Sequence, residues 1–335
     1  MTGQASCPVS ERDRAELLAI LRRTFQRPRA DGSLPRQFHA KTHCCLRGEL
    51  VLDPPDLPSV RHGLFARPGR YPALVRFSNS IFDDDRLPDM RGMAIKLRDV
   101  EGPVCDGAPE GQHDFLLVNE ATAPGRNAAD AMDLFRALDG IRKISLTTVV
   151  PPRYLFPSIL PWRWRWGYFW GMNKVGLRHL LGRDLDQMTF DSVTPYRLGS
   201  GETRFLVRPT DAGTRRRSAR GRNLAERLQA VLDEGPMSFE FCLQPRVLDA
   251  DPLDDAGTPW KSPVHVVGHL EIPPQDVRST IVLGERLAFG PWNCLAAHEP
   301  LGSINALRRE AYRASADNRA ARALFPAAPD APSDG

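Results

Sequence analysis

Thr42-His-Cys-Cys-Leu-Arg-Gly-Glu-Leu-Val-Leu52 is the first of a series of short runs rich in apolar and β-branched residues. Ala73–Phe77, Met93–Leu97 and Phe115–Val118 follow it, and later runs come at Arg204–Arg208, Ser238–Gln244 and Val264–Ile272. Pro, Gly and Asp punctuate the series, so the runs read as strands. Cys44 and Cys45 are adjacent in the first run and are expected on opposite faces of it. Helical spacing appears around the runs: at 10–27, with Leu17, Leu18, Leu21 and Phe25 in register, at 126–147, at 225–232 and at 304–324. Strands and helices do not alternate regularly. That order predicts an α+β chain with an antiparallel β core and helices outside it, not a doubly wound sheet.

The bulk numbers are those of an ordinary globular protein: 335 residues, 41% apolar and 26% charged. The net charge of +4 is small and the arginines are spread along the chain, which argues against nucleic acid as a partner. Residues 1–7 lack a basic start followed by an apolar stretch, so no secretory signal is expected, and no run of apolar residues is long enough to span a membrane. The expected location is cytoplasmic. Six cysteines at 7, 44, 45, 105, 242 and 294 form no CxxC pair and are expected to stay reduced. Neither a GxGxxG fingerprint nor a GxSxG elbow is present, which weakens nicotinamide-dependent and serine-hydrolase readings. His39/His43 and His265/His269 have HxxxH spacing, but both pairs fall in β-like runs without a third ligand, so neither is read as a metal site.

The C-terminal helix carries the most specific signal. In Asn305-Ala-Leu-Arg-Arg-Glu-Ala-Tyr312-Arg-Ala-Ser-Ala-Asp-Asn-Arg319, the offsets of Arg308, Tyr312 and Arg319 fall within about 40° of one another on a helix, so the three share a face. An arginine one turn from a tyrosine favours the ionised phenol. Residues 150–182 are unusual in another way. Four of the six tryptophans lie in Trp162-Arg-Trp-Arg-Trp-Gly-Tyr-Phe-Trp170, after a proline-rich approach. Such a basic-aromatic stretch can lie on a membrane surface. The preferred reading is a lid or wrapping helix whose aromatics pack on the domain or line a pocket.

Five segments together resemble the catalase superfamily, in particular its short haem proteins. Arg36-Gln-Phe-His39-Ala-Lys resembles the segment that bears the family's distal histidine. Val75-Arg76-Phe77-Ser78 resembles its Arg-Phe-Ser segment, and Asp89-Met-Arg91-Gly92-Met-Ala-Ile-Lys96 its Asp-x-Arg-Gly-x-Ala-x-Lys segment. Asp114-Phe-Leu-Leu-Val-Asn119 resembles the segment ending in the distal asparagine, and Arg308, Tyr312 and Arg319 match the proximal pattern. The matches run in the family's order across residues 36–320.

The resemblance implies an antiparallel β-barrel core, surrounding helices and a haem-ligating C-terminal helix. Residues 1–35 form an N-terminal helix and arm, 36–325 a catalase-like haem-binding domain, and 326–335 a disordered tail. Haem b is the implied cofactor, with Tyr312 as the axial ligand to iron and Arg308 as its partner. His39 is the implied distal acid/base, Asn119 orients the peroxide, and Ser78 hydrogen-bonds the outer nitrogen of His39. Arg36, Arg76 and Arg319 pair with the haem propionates, a contact that suits guanidinium. In a straight strand Arg36 and His39 would face opposite ways, so a bulge or irregular start is expected there.

The implied activity is that of a haem oxidoreductase acting on hydrogen peroxide or organic hydroperoxides, with an organic reductant as a further partner and homo-oligomers expected. The alternatives are a non-catalytic haem-binding or sensing protein and an enzyme that rearranges fatty-acid hydroperoxides, like allene oxide synthase. At 335 residues the chain is too short to be expected to carry the C-terminal flavodoxin-like domain of full catalases. It also has Glu120-Ala-Thr-Ala-Pro124 in place of their Pro-Val-Phe-Phe run, and the bulky Phe38 precedes His39. These departures predict a distal pocket of different shape, open to a bulky hydroperoxide.

Overall fold

A computed structural model describes residues 9–29, 32–123, 125–141, 152–161, 184–210 and 221–319, together with scattered positions between 164 and 177. Among the described residues nine strands form one antiparallel sheet: β1 (Lys41–Leu52), β2 (Gly69–Asn79), β3 (Arg91–Val100), β4 (Gly111–Val118), β5 (Phe190–Asp191), β6 (Tyr196–Leu198), β7 (Gly201–Pro209), β8 (Met237–Pro245) and β9 (His265–Ile272). β1 pairs with both β2 and β9, and β5 pairs with both β4 and β7. The sheet therefore closes into an eight-stranded barrel, and β6 hangs from β7 outside the ring. Closure leaves no long exposed edge for another chain to pair with.

Period-2 alternation sorts the side chains. Leu46, Val75, Phe77, Ile95, Phe115, Phe205, Phe239 and Phe241 fill the barrel and are almost completely buried. Each contributes on the order of 1.5–3 kcal/mol by leaving water. Their neighbours Cys45, Leu74, Ala94 and Leu116 point outward and make a second, smaller apolar patch on the barrel wall. Cys44 lies in the inner cluster and Cys45 in the outer one, as expected of adjacent strand residues. The β1–β2 register slips between Thr42 and Cys44, a bulge that turns Thr42 to the outer side beside Arg76.

Helices cover the wall. α1 (Glu11–Ile20) continues through one π-helical turn, Leu21–Phe25, and packs with α2 (Ala128–Leu138). α3 (Pro152–Leu155) and α4 (Leu224–Glu234) follow. α5 (Ile281–Arg286) runs against β1: a Cβ on Gly284 would stand 2.8 Å from Thr42 Cγ2 and 3.1 Å from Cys45 Cβ, so only glycine permits this approach. α6 (Ser303–Asn318) is the Tyr312 helix; Leu307 and Ala311 pack on α1 and α2, while Tyr312 packs on the outer patch of the barrel. The expected helices at 10–27, 126–147, 225–232 and 304–324 thus have counterparts; 142–147 and 320–324 lie outside the described residues, as does the tail 326–335. Among the described residues no helix is long and apolar enough to cross a membrane.

Candidate active site

The outer wall of the barrel and α6 bring the expected residues together. Arg36 to His39 form an irregular approach to β1, and His39 has φ +55°, a left-handed backbone rare for a side-chain-bearing residue. This turn is the irregularity that the Arg36/His39 spacing required. It is held by the His39 amide, which donates to Ser80 O at 2.9 Å, and by Arg76 Nη2, which donates to His39 O at 2.7 Å.

His39 Nδ1 lies 3.2 Å from Ser78 Oγ, the contact expected for the outer nitrogen. Burial pushes the imidazole pKa down to about 3, and the nearby Arg76, Arg308 and Arg36 charges act in the same direction. The ring is therefore neutral throughout the physiological range. Gly92 of β3 lies directly beneath it. A Cβ there would meet His39 Nδ1 and stand 2.6 Å from His39 Cε1 and 2.8 Å from Ser78 Oγ. Asn119, at the end of β4, accepts from the Arg91 amide at 2.7 Å through Oδ1, and its Nδ2 faces Met188 Sδ at 3.6 Å.

On α6, the guanidinium carbon of Arg308 lies 5.4 Å from the centroid of the Tyr312 ring, and Arg308 Nη1 donates to Thr194 Oγ1 and Asn305 Oδ1, both at 3.1 Å. Burial works against the Arg308 charge, yet the Tyr312 and Tyr196 hydroxyls keep its pKa above the ordinary value.

Arg36, Arg76 and Arg319 converge. Arg36 Nη2 donates to Gly284 O and, at 2.6 Å, to Leu287 O. Arg76 donates to Thr42 Oγ1 and His39 O, and Arg319 Nη1 donates to Glu285 O at 3.0 Å. Nearly all these acceptors are neutral. The carboxylate of Glu285 is 4.0 Å from Arg76 and is shared with Arg29 at 3.9 Å from the rim. Burial lowers the pKa of all three arginines, that of Arg319 to about 10, and Arg36 is lowered further by the charges of Arg76 and Arg319. Among the described residues three cations face one carboxylate, which leaves two positive charges in a largely buried place, where an uncompensated ion costs several kcal/mol. Arg36 Nε is also buried without a partner. A ligand with two carboxylates would offset the surplus, which is the charge and donor set that haem propionates need.

No protein-family model and no curated protein sequence matches the chain. Solved structures do. A bacterial catalase superposes with a TM-score of 0.58 at 15% identity, over 96% of this chain and 64% of its own. A fungal catalase reaches 0.60 at 15% identity, over 100% of this chain and 71% of its own. The fold is that of the catalases. Catalase A from Saccharomyces cerevisiae agrees, with a TM-score of 0.56 at 16% identity over 96% of this chain and 68% of its own. The chain thus spans roughly two thirds of the length of these catalases, and the catalase fold is carried without close sequence identity.

Two groups in the site had no signal in the sequence. Glu285 lies about 250 residues from Arg36 in the chain, and the carbonyls of Gly284 and Leu287 are backbone acceptors that any residue supplies. Gly92 stood inside a recognised segment, but its closeness to His39 shows only in three dimensions.

Proposed function

We propose that the chain is a haem b oxidoreductase acting on hydroperoxides. The observation that carries this reading is the surplus of buried positive charge at Arg36, Arg76 and Arg319, near a neutral imidazole on the barrel wall and a tyrosine of α6 that has an arginine over its ring. Tyr312 would hold the iron, with Arg308 beside its ring, and the three arginines would hold the propionates. When bound, haem supplies a redox-active iron at which an O–O bond can be cleaved.

The chain's own residues manage the proton. Nδ1 of His39 faces Ser78, which leaves Nε2 to take the proton from the near oxygen of a hydroperoxide and return it to the leaving oxygen. A neutral ring is ready to accept that proton at any physiological pH. Asn119 keeps Oδ1 on the Arg91 amide, so Nδ2, which faces Met188 Sδ, is the atom that would donate to the substrate.

The Glu120–Pro124 segment, which replaces the Pro-Val-Phe-Phe run of full catalases, supports a bulky hydroperoxide as substrate. Haem-loaded protein is assayed for oxygen evolution from hydrogen peroxide and, at equal haem, for consumption of cumene or fatty-acid hydroperoxide. Organic turnover rivalling disproportionation is expected. Fast oxygen evolution with negligible organic turnover would make the protein a small true catalase, and inertness toward both would make it a haem-binding protein.

A further inference from the structure

The six cysteines contain no CxxC pair, yet the fold assembles a pair of its own. Cys105 Sγ lies 3.5 Å from Cys294 Sγ, across 189 positions of chain. The two residues stand opposite each other where the segment after β3 runs antiparallel to the segment before α6. Val104 and Leu295 form the bridge, the Cys105 amide donates to Cys294 O at 2.9 Å, and the Ala296 amide donates to Pro103 O at 2.8 Å. Opposed antiparallel residues have Cα atoms about 4.5–5.5 Å apart, inside the span that a disulfide tolerates. The sulfurs need only close to the bonding distance of about 2.05 Å, which side-chain rotation supplies without moving the backbone.

Both segments are held in place. The Leu295 amide donates to His113 Nδ1 at 3.2 Å, Asn293 Nδ2 donates to Asp114 Oδ2 at 3.0 Å, and Trp292 Nε1 donates to Asn305 O of α6 at 2.8 Å. On the other segment, Asp106 pairs with Arg309 of α6 at 2.9 Å. The sulfurs therefore meet in the folded chain with no rearrangement to wait for. The two thiols are not equivalent. Cys294 is fully enclosed, while Cys105 keeps 6% of its surface open. The hydrogen bond from the Cys294 thiol lowers the Cys105 pKa and raises that of Cys294. Cys105 is thus the sulfur that an incoming oxidant meets first and the one that more readily forms a thiolate. Cys44 and Cys45 face opposite sides of β1, and burial pushes the pKa of Cys45 up to about 12 and that of Cys242 on β8 up to about 11.

We infer that Cys105 and Cys294 form a dithiol site that a small hydroperoxide oxidises to a disulfide. In the first step the Cys105 thiolate attacks one peroxide oxygen. An S–O bond forms, the O–O bond breaks, and the leaving oxygen takes up a proton and departs as water or an alcohol; Cys105 is left as the sulfenic acid. In the second step the Cys294 sulfur attacks the Cys105 sulfur. The S–S bond forms, the S–O bond breaks, and hydroxide leaves with the Cys294 proton as water. The two sulfurs give up two electrons, and the peroxide takes both. The opening at Cys105 is too small for a bulky oxidant such as a peptide disulfide, so the oxidant is a small one. The site needs neither haem nor Tyr312, and it stands apart from the haem reading.

The test is exposure of the reduced full chain to hydrogen peroxide, kept in excess to the end, and in parallel to oxidised glutathione, followed by peptide mapping under denaturing conditions. Peroxide is expected to link the Cys105 peptide to the Cys294 peptide, with a mass lower by two hydrogens than the two thiols together. Oxidised glutathione is expected to leave both as thiols. Cys294→Ser should stop at a sulfenic acid on Cys105, trapped by dimedone, and Cys105→Ser should leave Cys294 reduced. The wild-type map decides the assignment whether or not the variants fold. Both cysteines still reduced after peroxide would overturn it, as would either of them linked to a different cysteine. A pair that glutathione oxidises as fast as peroxide does would overturn it equally.

Discussion

At His39, burial and three guanidiniums act in one direction, so the ring stays neutral, with one N–H, above a pH of about 3. Its folded pKa lies below the usual 6.5, so the neutral form is kept as the pH falls through 6.5 and is lost only near the folded value. Bound propionates would offset part of the arginine field, but burial, the larger cause, would remain. The reaction of haem-loaded protein with peroxide should therefore be flat from pH 6 to pH 9. His39→Ala should keep haem and slow the reaction roughly a hundredfold or more, the scale of a positioned general base. Stopped-flow kinetics check both; unchanged kinetics in the haem-replete variant would remove His39 from this role. His39, Tyr312 and the three arginines could be named as candidates from short segments that resemble the family, while their nearness to one another is a product of the fold. Glu285 could not, because only folding brings α5 beside Arg76 and Arg319.

At the scale of elements, the site depends on how closely backbone approaches side chain. β3 comes beneath the imidazole only because residue 92 has no Cβ. Gly92→Ala would push the ring from Ser78 Oγ, and a displacement on the order of 1 Å costs about a hundredfold in rate. The variant is expected to fold and bind haem with an unchanged spectrum while its peroxide reaction slows by about that factor. Wild-type kinetics in Gly92→Ala would mean that the contact does not position His39. The longer strands could be read from apolar runs between turn residues. The two-residue β5 that closes the barrel could not, since Phe190–Asp191 is too short for a pattern and its pairing with β4 and β7 is set by the tertiary fold. The Thr42/Cys44 bulge was equally hidden, although the strand around it was plain.

For the whole molecule, the order of elements predicted a β core with helices outside, and the barrel with its helical cover has that form. Closure into a ring entered only through the family resemblance, because strand order is not written in periodicity. The surplus charge is likewise a property of the assembled molecule: Arg36 precedes β1, Arg76 lies on β2 and Arg319 ends α6. The most direct test of the central claim is titration of purified wild type and Tyr312→Phe with haemin, followed by absorption spectroscopy. Wild type should take up one haem per chain and show a high-spin ferric tyrosinate spectrum, and Tyr312→Phe should lose that spectrum or most of the haem. No stoichiometric uptake by wild type, or a variant with the wild-type spectrum and stoichiometry, would contradict the account.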